Sequence, residues 1–85
     1  MILVENQNAD PVEWQLAQDI AIVLADTDHI DRYLRYAREY NPAFLHSTLS
    51  EVSRYPQHKI KKSRAALFHF LVRIHGERNK RHHWN

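Results

Sequence analysis

Lys59-Ile60-Lys61-Lys62-Ser63-Arg64 places four positive charges within six residues, and no acid lies within four residues of the cluster. Local ion pairing therefore does not account for it. The segment falls in a connection and in the first turn of a following helix. Backbone N–H groups are exposed at such a start, and with nearby Lys and Arg they attract anions. The chemistry this pattern suits is contact with the phosphates of a nucleic-acid backbone. The plainer reading is a solvated basic loop.

A second basic element closes the sequence: Arg78, Lys80, Arg81, His82, His83 and Trp84. Phosphate contacts supply affinity there, and the Trp84 ring is of a kind that stacks on an unpaired base. Arg73 and His69 stand one turn apart and share a helix face with Lys62. Arg32, Arg35 and Arg38 look like a basic stripe. Asp28–Arg32, Asp31–Arg35 and Arg35–Glu39 have the spacing of helical ion pairs, each stabilising by about 0.2–0.5 kcal/mol. That stripe reads as structural, with Arg38 the freest of the three. Tyr36, off the main apolar stripe, is either a partner contact or a half-buried packing residue.

Other chemistries find little support. With no Cys there is no thiolate metal site and no thiol nucleophile. His69 and His75 are six residues apart and His82-His83 adjacent, which is not metal-ligand spacing. No Gly-rich phosphate loop occurs. Asp26 and Asp28 flank a helix start, where acids are expected, and His46 neighbours Ser47 without an orienting third group. By these criteria no catalytic residue is assigned, no cofactor or metal is expected, and the chain reads as non-enzymatic.

Charge is distributed unevenly along the chain. Residues 1–31 carry seven acids and no Lys or Arg, a sum of −7; residues 32–85 carry twelve Lys/Arg against three acids, a sum of +9. Such asymmetry points to a polyanion or an oppositely charged partner. The alternative is mutual neutralisation within one fold.

Four amphipathic helices must position these groups. The first is expected over 11–25, with Asp10 as N-cap, Pro11 at the first position and Glu13 completing a capping box. Val12, Leu16, Ile20, Val23 and Leu24 form its inner face, widened by Trp14, Ala17 and Ala21. The second, over 28–40, has Thr27 as cap and the stripe Ile30, Tyr33, Leu34, Ala37, Tyr40. The third, over 42–54, is capped by Asn41, with Leu45, Leu49 and Val52 inward. The fourth, over 63–75, has Leu67, Phe70, Leu71 and Ile74 as its core stripe, and Gly76 is expected in the left-handed conformation that ends a helix. The fold class is all-α: a small bundle or orthogonal array of about four helices over residues 1–76, with 77–85 a basic, mobile tail. Eighty-five residues allow one domain with a modest core. Met1-Ile2-Leu3-Val4 is too short for a signal peptide, and the longest apolar run, Ile20 to Ala25, is too short to span a bilayer. The expected location is cytoplasmic, off the membrane.

The stretch from about Ile30 to Gly76 resembles the helical C-terminal modules of plasmid and phage replication proteins and related mobile-element proteins. The likeness lies in Leu49-Ser50-Glu51-Val52, a polar link, then Ile60-Lys61-Lys62-Ser63-Arg64-Ala65-Ala66-Leu67-Phe68 leading into Phe70-Leu71-Val72. In such proteins a winged-helix domain precedes the module, and these 85 residues have no room for one. The resemblance implies an accessory or DNA-contacting role rather than initiation, and carries no binding residues over.

The functional expectation is a nucleic-acid-binding accessory domain, DNA favoured over RNA. Lys59, Lys61, Lys62, Arg64, Arg73, Arg78, Lys80 and Arg81 would contact phosphates, with Trp84 or Tyr36 stacking. The alternative is a protein-interaction or self-association module that uses the apolar face of the first helix.

Overall fold

A computed structural model describes residues 10–81. Asp10 caps the first helix as its sequence foretells: its carboxylate accepts from the Val12 N–H at 2.7 Å, and Pro11 begins the helix. This helix, α1, spans Pro11–Val23 and ends earlier than its apolar run. The Asp26 N–H donates to Ala21 O and the Ala25 N–H to Ile22 O, a pair of bonds that closes a helix when the residue after the cap is left-handed. Ala25 takes that conformation, with φ 55°, where glycine is the usual occupant. The turn delivers Asp26 to the next element.

A single 3-10 turn, Thr27–His29, leads into α2, Ile30–Glu39. Thr27 is not the cap it was expected to be; it lies within the turn, whose capping residue is Asp26, and no side chain caps α2. Asn41 accepts from the Ala43 N–H at 3.2 Å and Pro42 starts α3, Pro42–Arg54. A further 3-10 turn, Gln57–Lys59, shapes the basic link. Ser63 caps α4, Arg64–His75, by accepting from the Ala66 N–H at 3.0 Å.

The four helices form a small all-α bundle. α1 packs most extensively on α2, and α3 on α4. Leu16, Ala17, Ile20 and Ala21 of α1 meet Tyr33 and Ala37 of α2, Leu45 and Val52 of α3, and Phe68 and Val72 of α4 in one core. The alanines let α1 sit close to its neighbours. Thr48 is buried in α3 and satisfies its hydroxyl by donating to Phe44 O at 2.8 Å. Among the described residues no helix is long and apolar enough to cross a membrane.

Several apolar expectations change. Val12 and Val23, placed inward by periodicity, are exposed. On α4 the buried side chains are Phe68 and Val72, while Phe70 is 53% and Ile74 51% exposed. Residues 65–72 are apolar except His69, so spacing alone does not set which side of this helix faces inward. Tyr33 sets it: its ring packs edge-on against Phe68 with centroids 6.1 Å apart, and stacks on His69 at 5.5 Å.

The chain after α4 is folded up to Arg81 rather than a free tail. Gly76 is buried at φ −68°, ψ −29°, a right-handed conformation that any residue adopts. Glycine is needed there for space, since a Cβ would lie 2.5 Å from Cε1 of Tyr40. The 3-10 turn Gly76–Asn79 then carries the backbone to the α2–α3 corner. The Asn41 N–H donates to Asn79 O at 2.8 Å, and the Arg81 N–H to Glu39 O at 2.9 Å. Tyr40 and Lys80 form an isolated antiparallel bridge.

Candidate nucleic-acid interface

The expected basic residues divide into those that hold the fold and those left facing outward. Arg64 is structural. Its guanidinium donates to Val52 O at 2.6 Å, to Tyr55 O at 2.9 Å and to Oε1 of Gln57 at 3.2 Å. The two backbone carbonyls sit at the end of α3, where the helix dipole favours a cation; Val52 O also accepts from the Tyr55 N–H at 3.1 Å. Arg81 is also structural: it binds Glu13 Oε2 at 2.6 Å and donates to Ala37 O at 3.3 Å. Lys80 lies 3.6 Å from Glu39 and 3.7 Å from Glu77. Arg38, read as the freest arginine of its helix, approaches Glu13 Oε1 at 3.8 Å. Glu13 thus serves two arginines from distant parts of the chain rather than completing a capping box. None of the three i, i+4 ion pairs expected within α2 forms among the described residues. Arg78 is exposed, and Trp84 lies outside the described residues.

Lys59, Lys61, Lys62 and Arg73 remain outward, all exposed. Among the described residues no carboxylate pairs with any of them. Two adjoining grooves gather these groups. One, of about 320 Å³, is lined by Lys59, Lys61, Lys62, Tyr55, Leu67 and Phe70, among others. The other, of about 590 Å³, is lined by Arg32, Lys62, Arg73, Tyr36, His69 and Phe70, with Ala66. Lys62, Ala66 and Phe70 belong to both, so the exposed Phe70 ring stands between them.

A polar network of α2, α4 and the turn before α2 adjoins the second groove, which its Arg32, Tyr36 and His69 line. Asp26 accepts from the Tyr33 hydroxyl at 2.6 Å and from Nδ1 of His29 at 2.8 Å. Those two bonds, the Tyr33 bond first, hold the Asp26 carboxyl below its ordinary range. Burial is the main cause that raises the Tyr33 phenol, and the Asp26 bond adds to it. Nη1 of Arg32 lies 3.2 Å from Nε2 of His69, and Nδ1 of His69 lies 2.9 Å from the Tyr36 hydroxyl. A guanidinium only donates. Nε2 is therefore the accepting nitrogen, and Nδ1 carries the proton towards Tyr36. Burial, reinforced by the Arg32 charge, holds His69 below the ordinary histidine value. The Arg32 contact and this lowering both favour the neutral ring.

Tyr36 is half-buried, edge-on to Tyr33, Tyr40 and His69, so its face is used in packing. Spacing did place Lys62, His69 and Arg73 on one face, and they do line one groove. Reading the sequence missed Arg32 and Phe70 as parts of the site. The signal for Phe70 was its position two turns beyond Lys62 on that same face. Among the described residues no group of three His, Asp or Glu side chains converges as a metal site.

Comparison with family models, with curated proteins and with solved structures gave no match.

Proposed function

We propose that this chain is a non-enzymatic nucleic-acid-binding domain, cytoplasmic, that contacts the phosphate backbone through the two adjoining grooves. The supporting observation is the convergence of Lys59, Lys61, Lys62, Arg32 and Arg73 on one open surface with no carboxylate paired to the three lysines or to Arg73. Cations crowded in this way repel one another, and a polyanion relieves that repulsion. Groups of this kind position a backbone without reading its sequence, so specificity is weak and affinity falls steeply with salt. DNA is favoured over RNA, and an accessory role beside replication or mobile-element proteins fits the resemblance in the Ile30–Gly76 stretch.

The test is a titration of labelled DNA and RNA, single- and double-stranded, at two salt concentrations. Binding is expected at low salt, weakening as salt rises. Replacing Lys61 and Lys62 together by Ala should lower the salt slope by up to about two phosphate contacts. The same double change should move stability by less than about 0.5 kcal/mol. Undetectable affinity for every nucleic acid at low salt overturns the reading.

A second reading draws on α1, where Val12, Ile22 and Val23 are exposed. A protein partner or a second copy would cover them. Light scattering over a range of concentrations tests self-association, and a strict monomer counts against that form of it.

A further inference from the structure

We infer that the nucleic acid taken by this surface is single-stranded, with one unpaired base lying on the exposed ring of Phe70. Its neighbouring phosphates then lie against Lys61 and Lys62 on one side and Arg32 and Arg73 on the other. This rests on the reading that the surface binds nucleic acid at all, and adds to it the form of the ligand.

Three observations carry the inference. First, Phe70 is 53% exposed, more than any other phenylalanine, tyrosine or tryptophan among the described residues. Phe68, two residues earlier, is fully buried. Second, Phe70 is the aromatic residue shared by both grooves, so cations flank it on two sides rather than one. Third, the rest of the shared ridge is the small Ala66 and the long Lys62, which leaves the ring open to approach from above.

In a duplex the faces of the bases are covered by their neighbours. A protruding phenyl ring would then meet sugars and phosphates, and would be desolvated without a partner of its own kind. An unpaired base offers an apolar face to that ring, and its two flanking phosphates fall to either side. An aromatic platform between basic grooves is the arrangement that single strands use, and it is tolerant of sequence because every base has a π-face. From Arg64 to Arg73, α4 rises roughly 14 Å. That distance accommodates about four stacked nucleotides.

The experiment compares an oligothymidylate with a blunt mixed-sequence duplex of equal length. It uses the full chain, Phe70→Ala, Phe70→Trp and the Lys61→Ala/Lys62→Ala pair. Thermal unfolding of each variant first establishes that it is folded. The single strand should bind more tightly than the duplex. Phe70→Ala should weaken single-strand binding about 5- to 150-fold, with the salt slope unchanged. Phe70→Trp should bind at least as well as the parent. The lysine pair should instead lower the slope.

Duplex binding as tight as single-strand binding, or Phe70→Ala binding like the parent while the lysine variant weakens, overturns this inference and leaves nucleic-acid binding standing. No binding to either form at low salt overturns both. Vesicles rich in phosphatidylserine serve as a third probe. Retention by these with no retention by the oligonucleotides also overturns both, and assigns the ridge to anionic lipid.

Discussion

Lys62 and Arg64 are two residues apart and have opposite surroundings. The lysine faces solvent beside other cations, while the arginine turns inward onto the carbonyls that end α3. The unpaired lysines were legible in the sequence because the absence of nearby acids can be counted. The role of Arg64 was not, because its acceptors are mainly backbone oxygens, which leave no mark on residue type. Replacing Arg64 by Ala strips a charged donor from those carbonyls and should cost about 1–3 kcal/mol. Urea unfolding followed by circular dichroism checks this, and Arg64→Lys should recover only part of the loss because one ammonium does not reproduce the fork. Histidine 69 supplies a second residue-scale expectation. Its proton affinity is lowered on folding from the ordinary 6.5, so between that value and the folded one the unfolded chain binds more protons. Stability is therefore fully present above about pH 6.5 and falls as acid is added below it. Asp26 contributes in a lower window: its share is held above its ordinary 3.8 and lost as pH falls through the folded value. Melting temperatures from pH 7.5 to 5 should decline, and His69→Gln should flatten that decline; an equally steep fall in the variant would place the sensitive group elsewhere.

At the scale of the elements, caps and prolines marked where two helices begin. Asp10, Asn41 and the Pro residues after them act locally, through bonds to the next turn, so a single sequence carries the information. The orientation of α4 about its own axis was not available in the same way. Apolar residues surround that helix almost completely in its first two turns, and only packing against Tyr33 selects Phe68 and Val72 as the inner pair. The candidate interface follows from that selection, since the same rotation that buries Phe68 brings Phe70 out between the lysines and Arg73. The two phenylalanines should separate cleanly in unfolding experiments. Phe68→Ala is expected to cost about 3–5 kcal/mol, the range for deleting a buried aromatic ring. Phe70→Ala is expected to stay within about 0.5 kcal/mol of the parent. Comparable losses at the two positions would mean that α4 sits in a different rotation. The end of α1 shows the complementary case: a left-handed Ala25 where glycine would relieve strain gave no signal by residue type, so the apolar run was read two residues too far.

For the molecule as a whole, the division into an acidic and a basic half is resolved in two ways. Glu13 of the acidic half draws in Arg38 and Arg81, which neutralises part of the basic excess within the fold, while Lys80 meets Glu39 and Glu77 of its own half. The charges of the link and of α4 are left over, and they are the ones on which the proposed function depends. The Glu13–Arg81 pair also ties together residues 68 positions apart in sequence. Nearly all of the described chain thus lies between two points that touch. Releasing α1 from α2 also breaks this tie, and with it one of the contacts that hold the segment behind α4. Amide hydrogen exchange should accordingly find α1 and the backbone of residues 79–81 opening in one step, with a shared free energy. Arg81→Ala should cost about 1.5–3 kcal/mol, as for loss of a charged hydrogen bond, and should split that step in two. The Glu13–Arg81 pair is in this sense a clasp on the folding reaction: one arginine couples the two ends of the described chain.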